Sequence, residues 1–263
     1  MQTKIIFFDI DDTLCRLGQL PKNNYQVLHD LRQVGIRLAI ATGRSVPILP
    51  HDIRALFDEG LIEALVSANG QYNLLDDQIV SHYPLDADDA AALIALCREY
   101  DLGYQQLSEK YVAWSDERPE SDKIRLAFPG CIVDPEHYRH HSIYQFSVFL
   151  PEQDENIEVL RAFEEMGFHL ARWHKGGADV LPKNGSKARG ITDVCLEMGI
   201  DIQETMAFGD GLNDLEMLQH VGIGVAMGDG WPQLKAVADY VTGTIEEDGI
   251  RQALQHFKIL SKC

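Results

Sequence analysis

The sequence predicts an α/β protein, a doubly wound, Rossmann-like parallel sheet with an α+β domain inserted into it. Three observations carry that expectation. In both terminal thirds, short apolar runs alternate with helical stretches, the pattern of βαβ units. Those runs are nearly continuous rather than alternating, as strands covered on both faces must be. Between residues 84 and 182 the alternation stops, and a mixture of helices and strand-like pieces takes its place. The expected organisation is a discontinuous core, 1–83 with 183–263, around an insert at 84–182.

Element by element, Ile5 to Phe8 reads as a buried strand and Asn23 to Val34 as an amphipathic helix closed by Gly35. Ile36 to Ala41 is a second strand, stopping at Thr42-Gly43-Arg44. Val46 to Phe57 reads as helical despite its prolines. Ala64 to Ser67 is a third strand, and Gln71 to Tyr83 a hairpin turning at Asp76-Asp77. In the insert, Ala87 to Tyr100 and Asn156 to Met166 read as helices. Tyr111–Trp114, Ile143–Leu150, Phe168–Trp173 and Asp179–Leu181 read as strands. Beyond it, Ser186 caps a helix running to Met198. Thr205–Phe208 and Ile223–Ala226 are strands, with helices at Leu212–His220 and Pro232–Val237. Tyr240-Val241 and a terminal helix to Phe257 complete the chain.

The 263 residues suffice for a core plus a second module. A formal charge of −18 argues against nucleic acid or an anionic membrane surface as partner. Five cysteines, scattered and without CxxC spacing, fit free thiols in a reducing cytoplasm. The N-terminal apolar run is too short for a signal peptide, and no segment has the apolar length of a membrane span.

One stretch is at odds with simple burial. Asp9, Asp11 and Asp12 crowd the end of the first strand, where unpaired like charges repel and resist desolvation. Ligands of open parallel sheets sit outside the strands' carboxyl ends. Thr42-Gly43, Lys187, and Asp210 with Asn213 and Asp214 fall at or near such ends too. Together they offer carboxylates for a hard cation, and a lysine, a hydroxyl and amides for an anion. Magnesium completed by a phosphate fits that pairing.

The motifs DIDDT (9–13), ATGR (41–44), NGSKARG (184–190) and GDGLND (209–214), with SANG (67–70) and EEDGI (246–250), resemble the haloacid dehalogenase superfamily. The match is to its Cof-type, class IIB sugar-phosphatase branch. That resemblance implies Asp9 as nucleophile and Asp11 as acid and then base. It implies Mg2+ held by Asp9, the Asp11 carbonyl and Asp210, with Asp214 nearby. Thr42, Gly43, Asn213 and Lys187 would bind phosphate oxygens, Thr13 would fix the loop, and the insert would be the cap. The implied partner is a small phosphorylated metabolite. Arg44 reads equally as a substrate contact or a surface salt bridge, and Asn69 as a cleft-edge residue or a turn. A phosphomutase of the same design, a phospho-accepting signalling domain and a silent binding protein are the alternatives. His137, His140 and His141 read as a solvated face, Trp173-His174-Lys175 as a surface turn. Gly222 to Gly228 only approximates a dinucleotide fingerprint.

Overall fold

The computed structural model describes residues 2–116, 131–150, 157–174 and 176–261. The side chains of Ile157, Trp173 and His174, and Asn156, Lys175 and Cys263 entirely, lie outside that description. In chain order the first flank supplies β1 (Ile5–Phe8), α1 (Lys22–Gln33), β2 (Arg37–Ala41), α2 (His51–Asp58), β3 (Ala64–Ser67), β4 (Tyr72–Leu75) and β5 (Gln78–His82). The insert supplies α3 (Ala87–Glu99), β6 (Gly103–Leu107), β7 (Val112–Trp114), β8 (Cys131–Val133), β9 (Gln145–Phe149), α4 (Ile157–Glu165), β10 (Phe168–His174) and β11 (Gly177–Pro182). The second flank adds α5 (Lys187–Met198), β12 (Thr205–Gly209), α6 (Leu215–His220), β13 (Ile223–Ala226), α7 (Pro232–Lys235), β14 (Tyr240–Val241) and α8 (Gly249–His256).

Two compact units result: Met1–Arg44, Leu49–His82 and Ser186–Cys263 form one, Ser45–Ile48 and Tyr83–Gly185 the other. In the first, eight strands lie in the order β14-β13-β12-β1-β2-β3-β4-β5. β1 is the seam between the flanks, pairing in parallel with β12 (Phe8 opposite Phe208) and with β2 (Phe8 opposite Ile40). The apolar runs are continuous because both faces are covered. Phe7, Ala39, Ala41 and Val66 pack beneath Ile191 and Val194 of α5, and Val27, Leu28 and Leu31 of α1 are buried as well. The hairpin turns at Asp76 and Asp77, with φ of 47° and 60°, the left-handed pair that a tight two-residue turn requires.

The stretch read as one helix from Val46 to Phe57 is instead a 3-10 turn, Val46–Ile48, followed by α2. Pro50 explains the break, since it has no N–H to donate and pushes Leu49 out of the helical region. In the insert, six strands run in the order β10-β11-β9-β6-β7-β8. One sheet face carries Tyr104, Phe146, Val148 and Val180 against Leu93, Cys97, Val159 and Phe163 of the helices. β6 and β8 had no sequence signal. The polar GYQQL of β6 is buried because Gln106 is satisfied internally: its amide donates to the Pro135 carbonyl at 2.9 Å and accepts the Tyr138 N–H at 2.9 Å. Cys15, Cys97, Cys131 and Cys195 are free thiols, and among the described residues no helix is long and apolar enough to cross a membrane.

The solvated face expected at His137 is a correction. His137 is fully buried, its ring 4.2 Å from that of His141. Its Nε2 lies 3.1 Å from Ser108 Oγ and its Nδ1 3.1 Å from Asp134 Oδ2. The Asp134 carboxylate can only accept, so Nδ1–H donates to it; Nε2 of the neutral ring then accepts the Ser108 hydroxyl, whose oxygen accepts the Tyr111 N–H. The order Ser–His–Asp is that of a hydrolytic triad, but the Ser108 side chain is buried as well, so here it is a structural staple.

Burial lowers the His137 pKa, His141 adds to that, and Asp134 and Glu109 oppose it. A base whose folded pKa lies below its unfolded value leaves stability intact above ordinary histidine titration and erodes it as pH falls below. The melting midpoint is therefore expected to drop between pH 7.5 and 5.5, and to drop less in His137→Gln. Equal slopes for the two proteins in a thermal-shift series would remove His137 as the cause.

Candidate active site

The parallel seam sets the site. Because β12, β1 and β2 are adjacent and point the same way, the residues that follow them emerge side by side. Asp9 follows β1 and donates its N–H to the Phe208 carbonyl at 3.0 Å, Asp210 follows β12, and Thr42 follows β2. α5 brings in the fourth group: Ser186 caps its start, accepting the Arg189 N–H, and Lys187 is its first residue.

Lys187 Nζ donates to Asp9 Oδ1 at 2.7 Å and to Asp214 Oδ1 at 2.6 Å, and all three residues are buried. The second oxygen of Asp214 accepts the N–H groups of Asp210 and Gly211, each at 3.0 Å. Thr13 Oγ1 donates to Asp210 Oδ1 at 2.8 Å, which is the loop-fixing bond expected of it. Gly209 permits the arrangement, since a Cβ there would stand 2.5 Å from the Asp214 carboxyl.

Desolvation raises the Asp9 pKa well above its ordinary value, Lys187 opposes, and Asp214 and Asp210 add to the rise. Burial likewise pushes Asp210 up to about 7, with Asp214 contributing. Burial alone would lower the Lys187 ammonium, yet Asp214 and Asp9 hold it above its usual value. Asp9, Asp210 and Asp214 each offer an oxygen within 4.8 Å of the others. Three carboxylates against one ammonium leave negative charge in excess, and oxygen donors alone suit a hard divalent cation. The donor set therefore fits magnesium.

Around this cluster stand the other expected residues. Arg44 grips Asp11 with two bonds, Nε to Oδ2 at 2.6 Å and an Nη2 bond to Oδ1 at 2.8 Å. The salt bridge, one of its two readings, is formed, with the Arg44 side chain 27% and the Asp11 side chain 48% exposed. Thr42 is buried, with its hydroxyl accepting the Arg44 N–H at 3.1 Å. Gly43 lies against Asn69 and Asn213, whose side-chain amides are joined by a 3.1 Å bond from Asn213 Nδ2 to Asn69 Oδ1. Asn69 is buried and Asn213 exposed, so only the latter opens to solvent. Asp12 turns away from the cluster with φ of 57° and pairs with Arg16.

Arg16 escaped the sequence reading. Its guanidinium binds Asp12 at 2.7 Å, Asp229 at 2.5 Å and Glu246 at 3.0 Å, tying the loop after β1 to the second flank. Each pair is half-exposed and individually weak, but together they fix the loop. Glu246 opens EEDGI, so that motif's contribution here is a brace. An arginine between an acid-rich loop and a distant acidic pair has no short-range signature, so spacing could not find it.

Residues 6–254 match the profile of a family described as haloacid dehalogenase-like hydrolase. YkrA of Bacillus subtilis (strain 168), a phosphatase by assignment, is 35% identical over 99% of this chain and 100% of its own. An HMP-PP phosphatase of Klebsiella pneumoniae (strain 342) is 30% identical over 97% of this chain and 94% of its own. Among solved structures, a subclass IIB sugar phosphatase of the same superfamily superposes with a TM-score of 0.86 at 32% identity, covering 98% of this chain and 100% of that one.

Lys187→Met keeps the length of the side chain and deletes its charge, leaving Asp9 and Asp214 buried without a counter-ion. Removing one partner of such a pair destabilises by roughly 3–5 kcal/mol. A lower melting midpoint is expected, partly restored by a saturating divalent cation. A midpoint equal to that of the unaltered chain would show that the cluster is not held together by charge.

Proposed function

The chain belongs to the haloacid dehalogenase-like hydrolases and is an enzyme of phosphatase type; from that premise we propose that it hydrolyses small phosphorylated metabolites, sugar phosphates foremost, using the Asp9–Lys187 cluster and Mg2+. One observation supports this reading above the rest. Segments around residues 9, 187 and 214, far apart in sequence, meet in hydrogen bonds at Lys187.

In the first half-reaction an Asp9 carboxylate oxygen attacks phosphorus in line, the bond to the leaving oxygen breaks, and Asp11 supplies that oxygen's proton. In the second, Asp11 takes a proton from water as the water's oxygen attacks the same phosphorus. The bond to Asp9 breaks, releasing phosphate and restoring the carboxylate. Lys187 favours the ionised Asp9 that attack requires, and with the Thr42 hydroxyl and the Gly43 and Asn213 amides it binds phosphoryl oxygens. Arg44 engages both Asp11 oxygens, so this pair has to open for Asp11 to pass a proton to the leaving group. Asp9, Asp210 and the Asp11 carbonyl would hold magnesium, with Asp214 behind them, and the ion would supply neutralising charge for carboxylate and phosphoryl group alike.

The insert is read as the cap domain, the part that varies with substrate. Sugar phosphates are favoured by the full-length likeness to a sugar phosphatase. The acidic balance and free thiols support a cytoplasmic enzyme with no nucleic-acid partner.

The test is phosphate release across phosphorylated sugars, nucleotides and vitamins, with magnesium and then with chelator. Asp9→Asn is expected to lower kcat on an aryl phosphate by at least about a thousandfold while the protein stays folded. Activity retained in that variant would take the nucleophile role from Asp9. A sugar isomer formed in place of free phosphate would make the enzyme a mutase.

A further inference from the structure

Ala68, Asn69 and Gly70 have φ of 50°, 53° and 81°, three left-handed residues in succession. Glycine adopts that region freely, asparagine tolerates it, and alanine is strained there. A run of this kind persists only where its surroundings over-determine it. Here they do. The Asn69 N–H donates to the Thr42 carbonyl and the Ala68 N–H to the Arg44 carbonyl, each at 3.0 Å. Gly70 lies so close to the start of α5 that a Cβ would collide with the Ser186 carbonyl oxygen. Arg189 of the same helix reaches back to Gln71. One buried turn thus touches the segment after β2 and the helix that carries Lys187.

The Asn69 side chain makes the third connection. Its Oδ1 accepts Asn213 Nδ2 at 3.1 Å, and a Cβ on Gly43 would stand 3.3 Å from each of those two atoms. Asn213 sits on a 3-10 turn only three residues long, Leu212–Asp214, and is exposed. Asn69, by contrast, is 2% exposed and committed to its neighbours.

We propose that Asn69 is a positioning residue: its left-handed backbone aims Oδ1 at Asn213, and that bond sets the Asn213 and Gly43 amides at the spacing a phosphate requires. It acts through Asn213 and does not itself touch substrate. The inference rests on the reading of the core as a phosphate site. The strain at Ala68 and Asn69 follows from the same demand, because an unstrained turn would carry Oδ1 elsewhere.

Asn69→Gly keeps the left-handed backbone and deletes Oδ1, while Asn213→Ala deletes the donor of the same bond. Inhibition by inorganic phosphate, KM and kcat on an aryl phosphate, and thermal melting are measured for both single variants and the double. Asn69→Gly is expected to raise the phosphate inhibition constant and KM about tenfold, with kcat changed far less and the melting midpoint within a few degrees. The double variant is expected to be no weaker than Asn213→Ala alone, since the two changes remove one interaction. An inhibition constant unchanged in Asn69→Gly overturns the proposal, as does a double variant whose losses multiply. If Asn69→Gly does not fold, Asn213→Ala, at an exposed position, decides: unaltered phosphate inhibition there also overturns it. Turnover by the unaltered chain reports separately on the phosphatase reading, so the two failures are distinguishable.

Discussion

A lysine buried between two aspartates, at the start of a helix, is the interaction on which the rest of the core depends. Its position is electrostatically awkward, because the first turn of a helix carries partial positive charge. Only a carboxylate at each side makes the ammonium tolerable there. Asp214 in turn spends its second oxygen on two backbone N–H groups, so the 209–214 loop is shaped by the same charge that holds Lys187. Gly209 is required by that shape. A chain of necessity runs from one ammonium to a whole loop, and each link is short-range.

The flanks reach one another through β1. Its parallel pairing with β12 on one side and β2 on the other makes residues two hundred positions apart into neighbours. Once that seam exists, an insert that folds as its own compact unit adds little entropy cost to closing the sheet, because loop-closure entropy grows only slowly with length. The hairpin β4–β5 ends the sheet, and in sequence the insert follows β5. The Lys187 cluster is built from residues of the flanks.

What the sequence disclosed and what it withheld divide along physical lines. β1, β3 and β13 were readable to the residue because fully buried parallel strands leave apolar runs bounded by turn residues. β6 was invisible because Gln106 buys its burial with hydrogen bonds to residues some thirty positions away, and composition does not register distant partners. The helix drawn through Pro50 failed because apolar spacing outweighed a missing N–H in the reading. In the site, Asp9, Lys187, Asp210 and Asp214 were nameable from motif order. That Lys187 bonds the carboxylates themselves, and that Arg44 closes on Asp11, needed coordinates. The burial of His137 was missed in part for a like reason: its partner Ser108 lies 29 positions away.

Two breaches of local rules lie close together beside the Lys187 cluster. Asp9 is held where burial and two neighbouring acids oppose its charge, and Ala68-Asn69 is held in a backbone region that side chains avoid. Natural chains violate local consistency mainly where function demands it. The two breaches are also of different kinds. Crowded carboxylates can be relieved by positive charge, whether the Lys187 ammonium or a divalent cation. The left-handed turn is held instead by the Thr42 and Arg44 carbonyls and the Ser186 contact. Charge frustration therefore favours binding, whereas backbone strain maintains geometry before binding occurs. The carboxylate cluster is left short of positive charge while the turn beside it is held by backbone hydrogen bonds, and that asymmetry is what the proposed metal and phosphate site rests on.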